Sequence, residues 1–195
     1  MGERRYVVFE EPPVARYLFA DTRAAWIWLI LRVWLGWGWL QAGLGKVGSP
    51  AWTGDNAGAA ITGFIQGALA RMGGEHPDVQ TWYGWFLENV VLPNAALFGH
   101  LVAYGEVMVG LALIIGLFTG LAAFFGTFMN MAFLLGGAVS VNPIYFAVGT
   151  WLVLAWRTAG WYGLDRWLLP ALGTPWQPGK LFRTVRSKPE LEGGR

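Results

Sequence analysis

Leu97–Leu117 reads LFGHLVAYGEVMVGLALIIGL, with one carboxylate, Glu106, in an otherwise uncharged run. A membrane-crossing helix needs about 20 predominantly apolar residues, and this stretch has that length. Three more runs share its character: Ala24–Leu44, Gly120–Val139 and Ile144–Trp161, whose only charges are Arg32 and Arg157. The links after the second and third runs are minimal, at Gly116–Gly120 and Ser140–Pro143, and such short links make neighbouring helices antiparallel. The pattern predicts an all-α integral membrane protein, a four-helix bundle.

Composition agrees. Hydrophobic residues make up 55% of the 195-residue chain and charged residues 13%, about half the usual charged share of a soluble domain. Thirteen tryptophans and 28 glycines suit interfacial anchoring and close helix packing. Trp26, Trp28, Trp151, Trp156, Trp161 and Trp167 are expected to be anchors. Gly36, Gly43, Gly110, Gly116 and Gly120 are expected to let helices approach. The absence of cysteine excludes disulfides and a thiol relay carried by this chain. Two histidines in different segments give no metal-ligand spacing, no metal or flavin site is evident, and a net charge of +2 points away from nucleic acid. The N-terminus mixes Glu3, Arg4, Arg5, Glu10 and Glu11 before Pro12-Pro13 and does not read as a cleavable signal.

Residues 1–23 are expected to be a cytoplasmic segment, 24–169 the membrane domain and 170–195 a basic cytoplasmic tail. Arg4, Arg5, Arg16 and Arg23 precede the first run; Arg166, Lys180, Arg183, Arg186 and Lys188 follow the last. The positive-inside rule then puts both termini in the cytoplasm of a multi-pass plasma-membrane protein and the long link, about 47–96, outside. That link carries two apolar stripes at helical spacing. One runs through Ile61, Phe64, Ile65, Ala68 and Leu69, with Asp55 or Asn56 as its N-cap; the other runs through Val79, Trp82, Tyr83 and Phe86. They predict two short amphipathic helices on the membrane face or capping the bundle.

At 1.5 Å per residue, Arg32 lies about 12 Å deep, Glu106 about 16 Å and Asn130 about 15 Å. An isolated charge at such depth costs several kcal/mol. Arg32 and Glu106 are therefore expected to pair inside the bundle, with Asn130 completing the hydrogen bonding. Such a pair either fixes which helix faces which or lines a midplane cavity. In the second case it would give a quinone a donor and a proton-exchanging carboxyl. At the outer face Lys46, His100, Arg71 and His76 would form an electropositive mouth for a small anion; each also has a purely local reading, as a snorkelling or helix-capping residue.

The ordered motifs carry a resemblance. Arg32-Val-Trp-Leu-Gly36, followed by Trp39, Gly43 and Lys46, resembles the first helix of the DoxX/DoxD superfamily. Glu106 with Gly110, Gly116 and Gly120 resembles its second. Asn142-Pro143 and Gly160-Trp-Tyr-Gly163-Leu-Asp165-Arg166 are similar to the DoxD branch. The resemblance covers about Arg32–Leu169. It implies a four-helix redox subunit of the thiosulfate:quinone oxidoreductase type, the larger subunit of that enzyme. Such an enzyme couples two thiosulfates to tetrathionate, with quinone as electron acceptor, beside a DoxA-like second subunit or a further copy of the chain. By carry-over, Arg32, Lys46 and Glu106 are functional candidates and Asp165 a weaker one. Arg32 and Glu106 are thus expected at the catalytic centre, and Lys46, His100 and Asn130 at the substrate. Two other readings stand beside this one: a non-enzymatic scaffold docking a redox or stress-response complex through the basic tail, and a small-molecule transporter, for which no internal repeat speaks.

Overall fold

The computed structural model describes residues 11–173, which are helical and contain no strand. Helix α1 (Pro13–Ala20) starts with proline at its first position, where the missing N–H costs nothing. Asp21 then accepts the Arg23 amide at 2.8 Å and the Arg23 guanidinium, which together hold its carboxyl down to about 2. The long helices are α2 (Ala25–Val47), α5 (Ala95–Ile115), α6 (Thr119–Leu135) and α7 (Asn142–Leu154). The short ones are α3 (Ala59–Leu69), α4 (Thr81–Phe86) and α8 (Asp165–Leu172).

Two elements depart from the sequence expectation. The second amphipathic stripe is no separate helix. From α4 the chain continues through a π turn (Leu87–Val91) and a 3-10 turn (Leu92–Asn94) into α5. Pro93 cannot donate a helical hydrogen bond, and the local change of winding accommodates it. Thr81–Ile115 is thereby one 35-residue run, the one helix among the described residues that is long and apolar enough to cross a membrane. The fourth apolar run is helical for only part of its length. Helix α7 ends at Leu154, and Ala155–Leu164 continues as turns, because Leu164 and Asp165 turn their amides to Ile115 and Gly116 at the end of α5. Helices α6 and α7, with 17 and 13 residues, are shorter than the ~20 of a full crossing.

Small residues set the packing. A Cβ on Gly43 would lie 2.6 Å from the Val107 amide, and one on Gly36 would lie 2.9 Å from Leu113 Cβ, so α2 and α5 run antiparallel with backbones nearly touching. Gly126 of α6 faces Val109 of α5, and Gly149 of α7 faces Thr127 of α6. Leu35, Trp39, Val109, Leu113, Ala123 and Leu152 fill the core between these four helices. A second core forms where Ile61 and Ile65 of α3 meet Tyr83, Leu87 and Val91. The link is thus packed onto the bundle, and the Tyr83 hydroxyl donates to the Ala132 carbonyl at 2.7 Å. Helix α3 follows its predicted stripe, but its cap is Gly58 at φ +96 rather than Asp55 or Asn56. A Cβ there would meet the Ala96 amide at 2.7 Å, so close approach to α5 selects glycine.

The outside of the bundle is apolar. Leu97, Leu101, Tyr104, Met108, Leu111 and Ile115 form an exposed stripe along α5, and Leu121, Phe124, Phe125 and Phe128 another on α6. Arg32, Glu106, Asn130, Thr119 and Asp165 are inside. This polarity, the reverse of a soluble domain, suits a hydrocarbon solvent. Trp26, Trp151 and Trp167 are exposed as anchors require, whereas Trp28 is a core residue whose indole N–H donates to the Leu18 carbonyl at 2.7 Å. After Leu169 the chain stays helical to Leu172. Arg4, Arg5 and the basic stretch Lys180–Lys188 lie outside the described residues.

Candidate functional site: a buried ion pair and a guanidinium clamp

The carboxylate of Glu106 is inside, with its side chain 2% exposed, and its partner is Lys46: Nζ donates to Oε2 at 2.6 Å. The α2–α5 register explains this choice. Gly43 abuts Glu106 and Val107, so Lys46, one turn further along α2, reaches over the carboxylate with its flexible stem. Lys46 is 21% exposed, and Trp52 lies against it with 5.2 Å from Nζ to the ring centroid. The pair therefore joins a fully enclosed anion to a cation with one side toward the outside of the fold. A carboxylate this deep is tolerable only because it is paired.

The expected Arg32–Glu106 pair is not formed. The Arg32 guanidinium instead donates to the carbonyls of Leu113, Ile114 (3.0 Å) and Tyr162 (3.3 Å). Leu113 lies seven residues beyond Glu106, about 10 Å along the helix. Depths counted from the ends of each apolar run miss this, because α2 begins beyond the end of α5 and Arg32 comes opposite the last turn of α5. There the final carbonyls of a helix lack partners and carry the negative end of its dipole. Arg32 supplies both a charge and a planar set of donors.

Asp165 completes this clamp. Its two carboxylate oxygens accept the Phe118 amide at 2.6 Å and the Thr119 amide at 2.8 Å, capping the start of α6, and its charge acts on Arg32. The turn between α5 and α6 has Gly116 at φ +69. A Cβ on Gly163 would meet Gly116 Cα at 2.6 Å and the Ile115 carbonyl at 2.7 Å. The motif Gly160–Arg166 thus holds α5, α6 and the segment after α7 together.

The remaining candidates are not gathered at one place. Asn130 is fully buried and neither atom of its amide has a partner. The pairings Gly105–Met129 and Val109–Gly126 put it level with Glu106, without a hydrogen bond to it. His100 bonds the Ala96 carbonyl of its own helix at 2.8 Å and stacks on Tyr104. Arg71 donates to the Gly137 carbonyl in the α6–α7 turn. Lys46 is paired with Glu106 and Arg71 with the α6–α7 turn, so neither stands as a free cation of the expected electropositive mouth. Arg157 pairs with Glu11 at 3.0 Å. Sequence reasoning passed over three buried polar groups without partners, Trp39 Nε1, Thr127 Oγ1 and Thr119 Oγ1. Thr127 could have been found, since a hydroxyl inside an apolar run is the signal.

Among the described residues no cluster of His, Asp or Glu could hold a metal ion. Comparison with known proteins gives one match, over residues 27–178, to the family described as "TQO small subunit DoxD". No curated protein and no solved structure matches the chain. The description corrects one detail of the resemblance, since it makes DoxD the small subunit rather than the larger one. The match runs from the first turn of α2 through the Asp165 cap, and so takes in both the Lys46–Glu106 pair and the Arg32 clamp: the chain belongs to the DoxD family.

Proposed function

We propose that this chain is a membrane subunit of the thiosulfate:quinone oxidoreductase type, with the Lys46–Glu106 pair as its working centre. The family membership carries the reaction class, and the buried ion pair, closed at the carboxylate and partly open at the lysine, carries the assignment. Two thiosulfates give up two electrons as they join into tetrathionate; a quinone takes the two electrons with two protons to become the quinol. Lys46 receives the sulfur oxyanion on the outer side. Glu106 positions Lys46. Asn130, level with the pair and without a protein partner, offers its amide to the substrate. Arg32 serves as the clamp that keeps α5 in register. With no cysteine in the sequence, electrons pass through the substrates or through a second, DoxA-like subunit.

In this reading α2, the α4–α5 run, α6 and α7 each cross the plasma membrane, α6 and α7 with help from their flanking turns. Both termini face the cytoplasm, a reading supported by the arginines before α2 and after α7. The exposed apolar stripes on α5 and α6 support this placement.

The test is thiosulfate-dependent quinone reduction in membranes containing the chain with its partners. Glu106→Gln and Lys46→Met should each lower the rate at least tenfold while the protein remains folded in detergent. Full turnover by either folded variant sinks the assignment.

A further inference from the structure

Where α7 gives way to turns and α8 begins, a cleft of about 110 Å³ is lined by Arg157, Trp161, Arg166, Leu169 and Pro170, with Asp165 on its wall. Asp165 ties this region to the start of α6 and the end of α5, so the cleft lies at the end of the bundle opposite Lys46. Two guanidiniums share it, and both are reachable. The Arg157 side chain is 32% exposed and gives one nitrogen, Nη2, to the half-exposed Glu11. Arg166 is exposed and stands 5.0 Å over the Trp161 ring. Among the described residues it has no carboxylate partner, since both oxygens of its neighbour Asp165 are taken by the Phe118 and Thr119 amides.

Two arginines held side by side repel a metal ion and attract an anion. The volume is below the roughly 300 Å³ of the smallest drug-sized pockets, so it takes a head group rather than a whole nucleotide. What adjoins the cleft says what the anion is attached to. Through the shared walls Asp165 and Leu169 it continues into an apolar cavity of about 310 Å³ bounded by Leu121, Phe124 and Val153. Leu121 and Phe124 are half exposed on the apolar outside of the bundle. A basic cleft opening into an apolar one fits an amphiphile with an anionic head. Trp161 already holds a cation, which disfavours a choline head. Arg23 at the start of α2 and the exposed Trp167 of α8 mark the same end as a membrane interface. The positive-inside rule turns it toward the cytoplasmic leaflet, where anionic lipids are found.

We propose that this cleft binds the phosphodiester of an anionic phospholipid, with Arg166 and the free edge of Arg157 donating to its oxygens and an acyl chain lying in the adjoining cavity. The proposal rests on the membrane placement given above and not on the reaction. Inorganic phosphate offers the same oxygens without a chain, so the experiment separates the two sources.

The purified full chain in detergent is titrated with dioleoyl phosphatidylglycerol or dioleoyl phosphatidylcholine, with and without excess inorganic phosphate. Bound lipid is read by native mass spectrometry. Phosphatidylglycerol should be retained in preference to phosphatidylcholine and should stay bound in phosphate. Arg157→Gln and Arg166→Gln should each cut that preference about fivefold, the worth of one basic residue beside an anionic lipid. Arg23→Gln, at the same end but outside the cleft, should leave it unchanged. The site is overturned by equal retention of the two lipids, by an equal loss in Arg23→Gln, by folded Arg157→Gln and Arg166→Gln proteins that keep the full preference, or by displacement with phosphate, which marks a site for the free ion only. Failure of the catalytic reading looks different: the lipid preference holds, yet thiosulfate drives no quinone reduction.

Discussion

Helix α2 carries two cations, Arg32 fully buried and Lys46 partly so, and the two are satisfied in opposite ways. Arg32 meets three backbone carbonyls and Lys46 meets one carboxylate. A guanidinium on carbonyls has nothing to exchange; it is a fixed charge closing a helix end. An ammonium on a carboxylate, with a fifth of its side chain exposed, sits in a contact that an incoming anion competes for. The same helix thus holds a structural cation and a chemical one, and depth alone does not tell them apart.

The largest effect should come from the structural end. Arg32→Ala strands three carbonyls and should cost about 3–5 kcal/mol, read as loss of folded protein in detergent unfolding. Arg32→Lys should recover less than half, because an ammonium lacks the planar fork. An Arg32→Ala protein of normal stability would erase the contrast. Next comes the chemical end. A double-mutant cycle with Lys46→Met and Glu106→Leu should give a coupling of about 2–3 kcal/mol. The double variant should be more stable than Glu106→Leu alone yet have no turnover, which separates the pair's chemical role from its packing. Gly163→Ala should destabilise by about 1–3 kcal/mol through overpacking against Gly116 and leave the turnover of the surviving folded fraction unchanged. Smallest is Asn130→Leu, which removes two orphaned polar atoms and should raise stability by about 1 kcal/mol while lowering turnover. A variant with both properties unchanged would place Asn130 outside the working centre.

The helices were legible because hydrophobic runs and glycine spacing report them directly. Gly36, Gly43 and Gly110 signalled close helix packing, which the structure places between α2 and α5, and the Ile61–Ala68 stripe marked α3. The candidate list was legible too, since Arg32, Glu106 and Asn130 are the polar intruders in apolar runs. Their grouping was not. Pairing depends on the axial stagger of α2 against α5, set by the contacts at Gly43 and Gly116, and stagger leaves no local trace in a sequence. The shortened α7 escaped notice for a related reason. Its apolar run continues to Trp161, but the tertiary bonds from Leu164 and Asp165 to the end of α5 override helical propensity. Gly58 in place of Asp55 or Asn56 is the same lesson at one residue, where proximity to α5 outweighs side-chain capping.

The Arg32 clasp also imposes an order on biosynthesis. Its Tyr162 carbonyl is 130 residues downstream of the guanidinium, and the carboxylate that caps α6 follows three positions later. When α2 leaves the ribosome its arginine has no acceptors. The first arrive with the end of α5, and the last only when nearly the whole membrane domain has been made. Until then α6 also starts with uncapped amides. The clasp is therefore complete only late in synthesis, and chains ending before residue 162 should be cut faster by a membrane protease than the full chain.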